Sequence, residues 1–527
     1  MMRKLLLFTL LSSFFSISLM AQNITKGEQI QSEVGISIFK FDMKKQSFFS
    51  LKLNLELSTT ANDIIYPEAS FLSLQLQNPK TLEFIEFARI YLQASLKENE
   101  EIIYNYDLQM WQHWFIKNPQ IRVLSNTDIN HLILSMELEA EEGQPNINVI
   151  DIIPLWQSDL KGFPYTETGV SVELLPAKEI QLPKGTKHAI ASVLISGQAE
   201  DISETSSRFY FLEINDTDVS KRSIWRDDCS LNPLQPEQEG WYLSRPNWCP
   251  GLKVYPLLHF IEKKYIDQGN IKLELSFQED KGKVSAIDSY VTSSVLFALG
   301  EAKEAINLSI NEIYSPNNKI WHESYNPICG SPVILIQNTG SEKVESITFN
   351  YGYNYQTDNK FRWKGELGFL EEEIIYLPSL NWYFFENGDQ PETFTVHISS
   401  VNGKEKALKL GKKTSEMTLA EVFPAQLIFE LNTDHAADLN GLEIFNEAGE
   451  AYFSSGELKS DTTYSFSVDF APGCYEMIYY DEAKDGCQSK KNKSGFLRII
   501  DRQKDAELKS FDGNFGSEVR EQFMIFR

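Results

Sequence analysis

Residues 240–251 read "GWYLSRPNWCPG" and follow shortly after "RDDCSLNP" at 226–233. Two of the chain's five cysteines, Cys229 and Cys249, therefore fall about one loop apart, in a stretch rich in tryptophan and proline. Glycine, proline and asparagine punctuate chains of short strands, and the flanking sequence has that character. "FFSLKLNLELS" (48–58), "SFLSLQLQ" (70–77), "HLILSMELEA" (131–140) and "SRFYFLEIN" (207–215) alternate apolar and polar residues, the pattern of half-buried strands. Helical periodicity is scarce, and "GEAKEAINLSINEIY" (300–314) is its best candidate. The pattern predicts an all-β chain.

The compartment follows from the first residues. "MMRKLLLFTLLSSFFSISLMAQ" places Arg3 and Lys4 before a short apolar stretch and a small-residue end at Ala21. This is the layout of a signal peptide over 1–21, which predicts export to the periplasm or beyond, where cysteines pair. No later stretch is apolar for long enough to span a membrane as a helix. The formal charge of −25 becomes −27 when Arg3 and Lys4 are removed. So acidic a chain repels phosphate backbones, which argues against nucleic-acid partners.

Length and punctuation predict four folded units after the leader. These are 23–160, 166–302, 315–412 and 424–527, with a linker at "QSDLKGFPYTETG" (157–169). The expected architecture is two adjacent jelly-roll sandwiches followed by two smaller β-sandwich modules. A monomer is expected.

The order "IQLPKGTKHAIASVLISGQ" (180–198), "CSLNP" (229–233) and "NWCPGLKVYP" (247–256) resembles the C-terminal jelly roll of the peptide-N-glycosidase F family. That family has a strand ending Leu-Pro, one ending Ile-Ser-Gly, a Cys-Ser-x-Asn-Pro turn and Trp-Cys-Pro-Gly. Residues 35–155 resemble the family's N-terminal jelly roll more faintly, through "EFIEFARIYL" and "LILSMELEAEEGQPNINVIDII". The resemblance implies hydrolysis of the amide joining an N-glycan to asparagine, with a glycoprotein or glycopeptide as substrate. It implies a Cys229–Cys249 bond, worth about 3 kcal/mol in the loop-entropy model. Trp241 and Trp248 would pack on that bond or line a cleft.

The family's acids carry over unevenly. Its late-strand glutamate falls on Glu137, its second-domain glutamate on Glu204, and an arginine four residues on falls on Arg208. The essential aspartate fails, because Ala69 stands in its place. Glu68 is adjacent, but on a strand the neighbouring residue faces the other way unless a bulge re-aims it. The family's cysteines around both acidic segments and several aromatics are also missing. A non-catalytic glycan- or protein-binding protein on the same scaffold is therefore the alternative, and a structural envelope component a third reading.

No cofactor is expected. The paired jelly rolls also resemble copper monooxygenases, but the seven histidines are scattered, and "DHAAD" (434–438) reads as a turn. The tail resembles a sandwich module of secreted bacterial hydrolases through Gly473-Cys474-Tyr475, Asp485-Gly486 and Asn514-Phe515-Gly516. That resemblance implies a Cys474–Cys487 bond, with Cys329 left as a buried thiol or in a shuffled pairing. Asp481 and Asp485 are the residues that would hold calcium there, the alternative being plain turn acids.

Overall fold

The computed structural model describes residues 23–526 except 34, 44–45, 60–63, 94, 97–100, 199–206, 237–239, 280–287, 355, 381–391, 406–407, 409–410, 434–439 and 488–494. The leader at 1–21, Glu204 and "DHAAD" thus lie outside the described residues. The fold is all-β, and α-helix among the described residues is confined to the short turns Gln112–Phe115 and Lys263–Ile266. The helical candidate at 300–314 instead ends in the strand Leu308–Ser315. Its apolar spacing suited both periods, and pairing with Val333–Asn338 decides for the strand.

The first jelly roll follows its alternation. In Phe48–Thr59, Leu51, Leu53, Leu55 and Leu57 are buried while Lys52, Asn54 and Glu56 are half-buried. The strand Asn23–Glu33 serves both sheets: its first residues pair with Leu132–Glu142, and from Gly27 onward it pairs with Ile36–Phe41. A Cβ on Gly27 would meet the Phe41 ring at 2.9 Å, so the crossing needs glycine. The far edge is closed from another unit. Lys253–Val254, just past the cysteine loop, pairs with Arg89 and Ile90 of Phe84–Tyr91.

The second jelly roll packs its four-stranded sheet (Lys178–Gln181, Asn270–Phe277, Phe209–Ile214, Asp218–Ser223) against a larger sheet built on His188–Gln198 and Ser289–Leu299. Every position of Ser289–Leu299 is buried. Tyr290 and Leu296 face the sandwich's own core, and Val295, Phe297 and Leu299 face the first jelly roll. Covered on both faces, the strand lacks polar alternation. Val149–Gln157, expected within the first unit, hydrogen-bonds to Ser289–Leu299, and Phe163–Thr166 from the expected linker pairs with the same strand. The two jelly rolls are joined along a sheet rather than through a free linker.

Two smaller sandwiches follow. The third packs Leu308–Ser315, Val333–Asn338 and Glu372–Tyr376 against a sheet centred on Val344–Tyr353 and Thr393–Val401. The fourth packs the sheet around Gly473–Asp481 and Glu518–Ile525 against that around Gln426–Asn432 and Phe496–Asp501.

Cys229 pairs with Cys249 as expected. Cys474 does not pair with Cys487; it pairs with Cys329 and ties the fourth sandwich to the third. On Gly473–Asp481, Tyr475, Met477 and Tyr479 point into the module's own core, where Cys487 also lies. Cys474 points from the opposite face into the core of the third sandwich. Strand alternation therefore puts the two expected partners on opposite sides. Cys487 is a buried thiol whose Sγ lies 2.7 Å from the Tyr479 hydroxyl.

Candidate functional site

Pro67–Ser70 forms a turn, not a strand. The Ser70 N–H and hydroxyl both donate to the Pro67 carbonyl, at 3.2 and 2.7 Å. Ala69 takes a left-handed conformation with φ 59°, held by Asn126, whose side chain donates to the Ala69 carbonyl at 3.0 Å and accepts from the Phe71 N–H at 2.8 Å. The alternation rule that turned Glu68 away from the joint therefore does not apply. Glu68 remains 52% exposed, and its Oε1 accepts from Arg245 Nη2 at 3.2 Å.

Arg245 is 1% exposed and lies within "GWYLSRPNWCPG" (240–251). The disulfide loop folds around its guanidinium. Nη1 donates to the carbonyls of Trp241 (3.0 Å) and Leu243 (2.7 Å), and Nη2 to Gly240 (2.8 Å). Its Nε is buried without a partner among the described residues. So enclosed a cation needs a counter-charge, and Glu68 supplies it from the first jelly roll.

Beneath this pair the two jelly rolls meet. The guanidinium lies 5.0 Å from the Trp248 ring centre, and Trp248 stacks on Tyr91 at 4.0 Å and 12°. The Tyr91 and Ser196 hydroxyls are 2.8 Å apart. Burial pushes the Tyr91 hydroxyl up to about 12, so it stays protonated. Arg89 donates to both Glu86 oxygens, to Ser196 Oγ at 2.6 Å and to the Val291 carbonyl at 2.9 Å, which locks the joint. Gln198 hydrogen-bonds to the Tyr91 hydroxyl from the second jelly roll's side of the joint.

The expected site residues are placed as follows. Glu137 stands on the outward face of the first jelly roll's other sheet and pairs with Lys26 at 3.1 Å, away from the joint. Met136 and Leu138 take the inward positions, which fixes that orientation. Arg208 is buried against Asp288 (3.1 Å) and over the Tyr165 ring (4.2 Å), where it bonds the Tyr290 hydroxyl. It supports Tyr290 from within the second jelly roll. Trp248 and Trp241 are both buried, so neither offers a face to a sugar. Trp241 donates to Asn514 Oδ1 at 2.9 Å, and Gly516 packs on its ring. The fourth sandwich is thus the back wall of the loop that holds Arg245.

Asp481 is nearly buried and accepts from the N–H groups of Ala483, Asp485 and Gly486 and from Asn440 Nδ2, all within 3.0 Å. Those donors occupy the lone pairs a calcium ion would use, so the turn is closed by its own backbone. Among the described residues the group of three acids with converging oxygens is Glu213, Asp216 and Glu274, and Lys272 sits 2.7 Å from the latter two.

Arg245, Glu86, Arg89 and Tyr91 were missed from sequence. The available signal was a lone arginine inside the loop and a charged pair inside the apolar run "FIEFARIY", since charges are rarely buried without partners.

Residues 169–297 match the family model described as Peptide-N-glycosidase F, C terminal. The second sandwich is similar to the C-terminal domain of peptide-N-glycosidase F. A curated relative, the Peptide-N(4)-(N-acetyl-beta-D-glucosaminyl)asparagine amidase F of Elizabethkingia miricola, is 28% identical over 133 residues, which are 23% of this chain and 37% of that protein. The match thus spans little more than a third of that relative's length. Among solved structures, PNGase F, a glycosylasparaginase from Flavobacterium meningosepticum, aligns at 18% identity over 53% of this chain and 96% of its own, with a TM-score of 0.44. PNGF-II aligns at 15% identity over 53% and 65%, with a TM-score of 0.42. The second jelly roll supplies Arg245 and Trp248, and the first supplies Glu68 and Tyr91.

Proposed function

We propose that this protein is an exported glycoamidase that hydrolyses the amide between an N-glycan and asparagine, with Glu68 in the place left by the missing aspartate. The observation that carries the reading is the Glu68–Arg245 pair, half open to solvent, at the mouth of the inter-sandwich joint. A carboxylate held there can take a proton from water as it attacks the amide carbon. Arg245 holds that carboxylate in place, and its own partnerless Nε–H is suited to the oxygen that gains charge. Glu204 is retained as the second acid. The two disulfides suit an oxidising compartment, and no helix of the described residues is long and apolar enough to cross a membrane.

The test is incubation with a denatured N-glycoprotein, read as a gel shift together with conversion of the glycosylated asparagine to aspartate by mass. An unshifted band at high enzyme load rejects the reading. A glycan- or protein-binding protein on the same scaffold is the second reading, favoured by Ala69 in the place of the aspartate. It requires glycan affinity without turnover.

A further inference from the structure

The joint between the jelly rolls has a second opening, at the end away from Glu68. A groove of about 920 Å³ lies there, lined by Leu82, Phe84 and Arg122 of the first jelly roll and by residues 154–157 and Leu174 of the second. Phe84 begins the strand whose far end, Tyr91, reaches the Glu68 mouth, about 23 Å away at the rise of extended chain.

Arg122 is half-buried in this groove and faces Gln75 across the ladder of Gln120–Ser125 with Phe71–Gln77. Its Nε and Nη2 donate to the one Gln75 Oε1, at 2.9 and 2.5 Å, and its guanidinium carbon lies 4.0 Å from the Phe84 ring centre. Gln75 is neutral. Among the described residues no carboxylate forms an ion pair with Arg122, and its Nη1 has no partner. Arg89, Arg208 and Arg245, at or beside the same joint, each hold a carboxylate. A guanidinium taken partly out of water calls for one, and here the groove leaves that place to a ligand. The lining acids Glu83 and Glu173 are exposed, so water screens them.

Both walls are sheet edges. Phe84–Tyr91 pairs with Phe71–Gln77 on one side, while on the other Lys253–Val254 takes Arg89 and Ile90 only. The Glu86 carbonyl accepts from Ser293 Oγ, which leaves Phe84 and Ile85 as the open stretch. Opposite, Val149–Gln157 pairs with Ser289–Leu299 alone among the described residues, and Pro154 on it is a residue that edges tolerate. Open strand edges take an extended chain through its main-chain groups. Leu82 and Leu174, 66% and 43% exposed, offer apolar contact to a side chain between them. An acidic segment would be repelled by Glu83 and Glu173, whereas a single terminal carboxylate can meet the Arg122 fork with both oxygens.

We propose that this groove binds the C-terminus of an extended polypeptide partner, with Arg122 holding the terminal carboxylate and Leu82 and Leu174 flanking an apolar last residue. The inference stands on the groove alone and does not rest on the glycoamidase reading.

Panning the full-length protein against a phage library of random heptapeptides displayed with free C-termini tests it. The enriched peptide is then titrated by fluorescence anisotropy as the free acid and as the C-terminal amide. Enriched sequences should end in an apolar residue, and the amide should bind about tenfold more weakly or worse. Arg122→Gln should bring the acid down to the affinity of the amide, and Leu174→Asp should weaken the acid to a similar degree. Unchanged melting temperatures check that both variants fold, and the comparison of acid with amide needs no variant at all. Equal affinity of acid and amide overturns the inference, as does an affinity unchanged in both variants. So does a library without enrichment, or one enriched in internal acidic residues. The library carries no glycan, so a failed deglycosylation assay would leave this result standing.

Discussion

At the scale of single residues, Glu68 and Arg245 differ in what their replacement costs. Glu68→Gln removes the counter-charge of buried Arg245, so it should lower the melting temperature, and it should lower the deglycosylation rate by about 10²–10⁴, the usual contribution of a general base. A variant that keeps wild-type turnover removes Glu68 from the chemistry. Arg245 is also structural: removing it leaves the carbonyls of Gly240, Trp241 and Leu243 buried and unpaired. A second residue governs behaviour in acid. His259 is 3% exposed between Tyr210 Oη (2.6 Å) and Ser220 Oγ (2.9 Å). Burial, and then Arg222, lowers it from 6.5 to about 4. The unfolded chain therefore binds the proton first, and stability should fall as pH drops from about 6.5 towards 4, by on the order of 3 kcal/mol. His259→Gln should flatten that part of the profile in denaturant titrations at stepped pH. An unchanged slope would assign the acid sensitivity to other groups.

At the scale of elements, the disulfide loop decides whether the site exists. Its two ends are bonded, Asn232 Nδ2 donates to the Pro250 carbonyl at 2.6 Å, and the following strand joins the first jelly roll. Replacing Cys229 and Cys249 by alanine should cost about 3 kcal/mol and reduce activity beyond what that loss explains, because Arg245 loses its frame. The loop's outer wall belongs to the fourth sandwich. Gly516 has φ 72°, and a Cβ there would lie 2.1 Å from the Ser230 carbonyl oxygen and 2.7 Å from the Trp241 ring. Gly516→Ala should therefore raise amide hydrogen exchange across residues 226–252. Unchanged exchange there would show that the wall does not support the loop.

At the scale of the whole molecule, four sandwiches are fastened in sequence by different means. A shared sheet joins the first two, and the Cys329–Cys474 bond, with a sequence separation of 145, joins the last two. Loop-entropy reasoning gives that bond about 5 kcal/mol. Cys329→Ala with Cys474→Ala should lower the stability of the third and fourth sandwiches first, seen as an early transition in calorimetry, while the jelly rolls melt near their original temperature. One merged transition at the wild-type position would mean that the modules are held by packing alone.

The sequence by itself determined the strands, because alternation such as that of Phe48–Thr59 is a local property of one pleated face. It also determined the all-β class, and the ordered turn motifs that resemble the peptide-N-glycosidase F family implied the Cys229–Cys249 staple. Where strands are covered on both faces, as in Ser289–Leu299, the pattern gave no boundary, and Val149–Gln157 went to the neighbouring sheet. Only the tertiary structure decided which acid meets which cation. Glu68 and Arg245 are 177 residues apart, and one left-handed residue, Ala69, turns Glu68 towards the joint. It likewise chose Cys329 over Cys487 for Cys474. Which distant groups come to share a face depends on how sheets stack, and no local pattern records that.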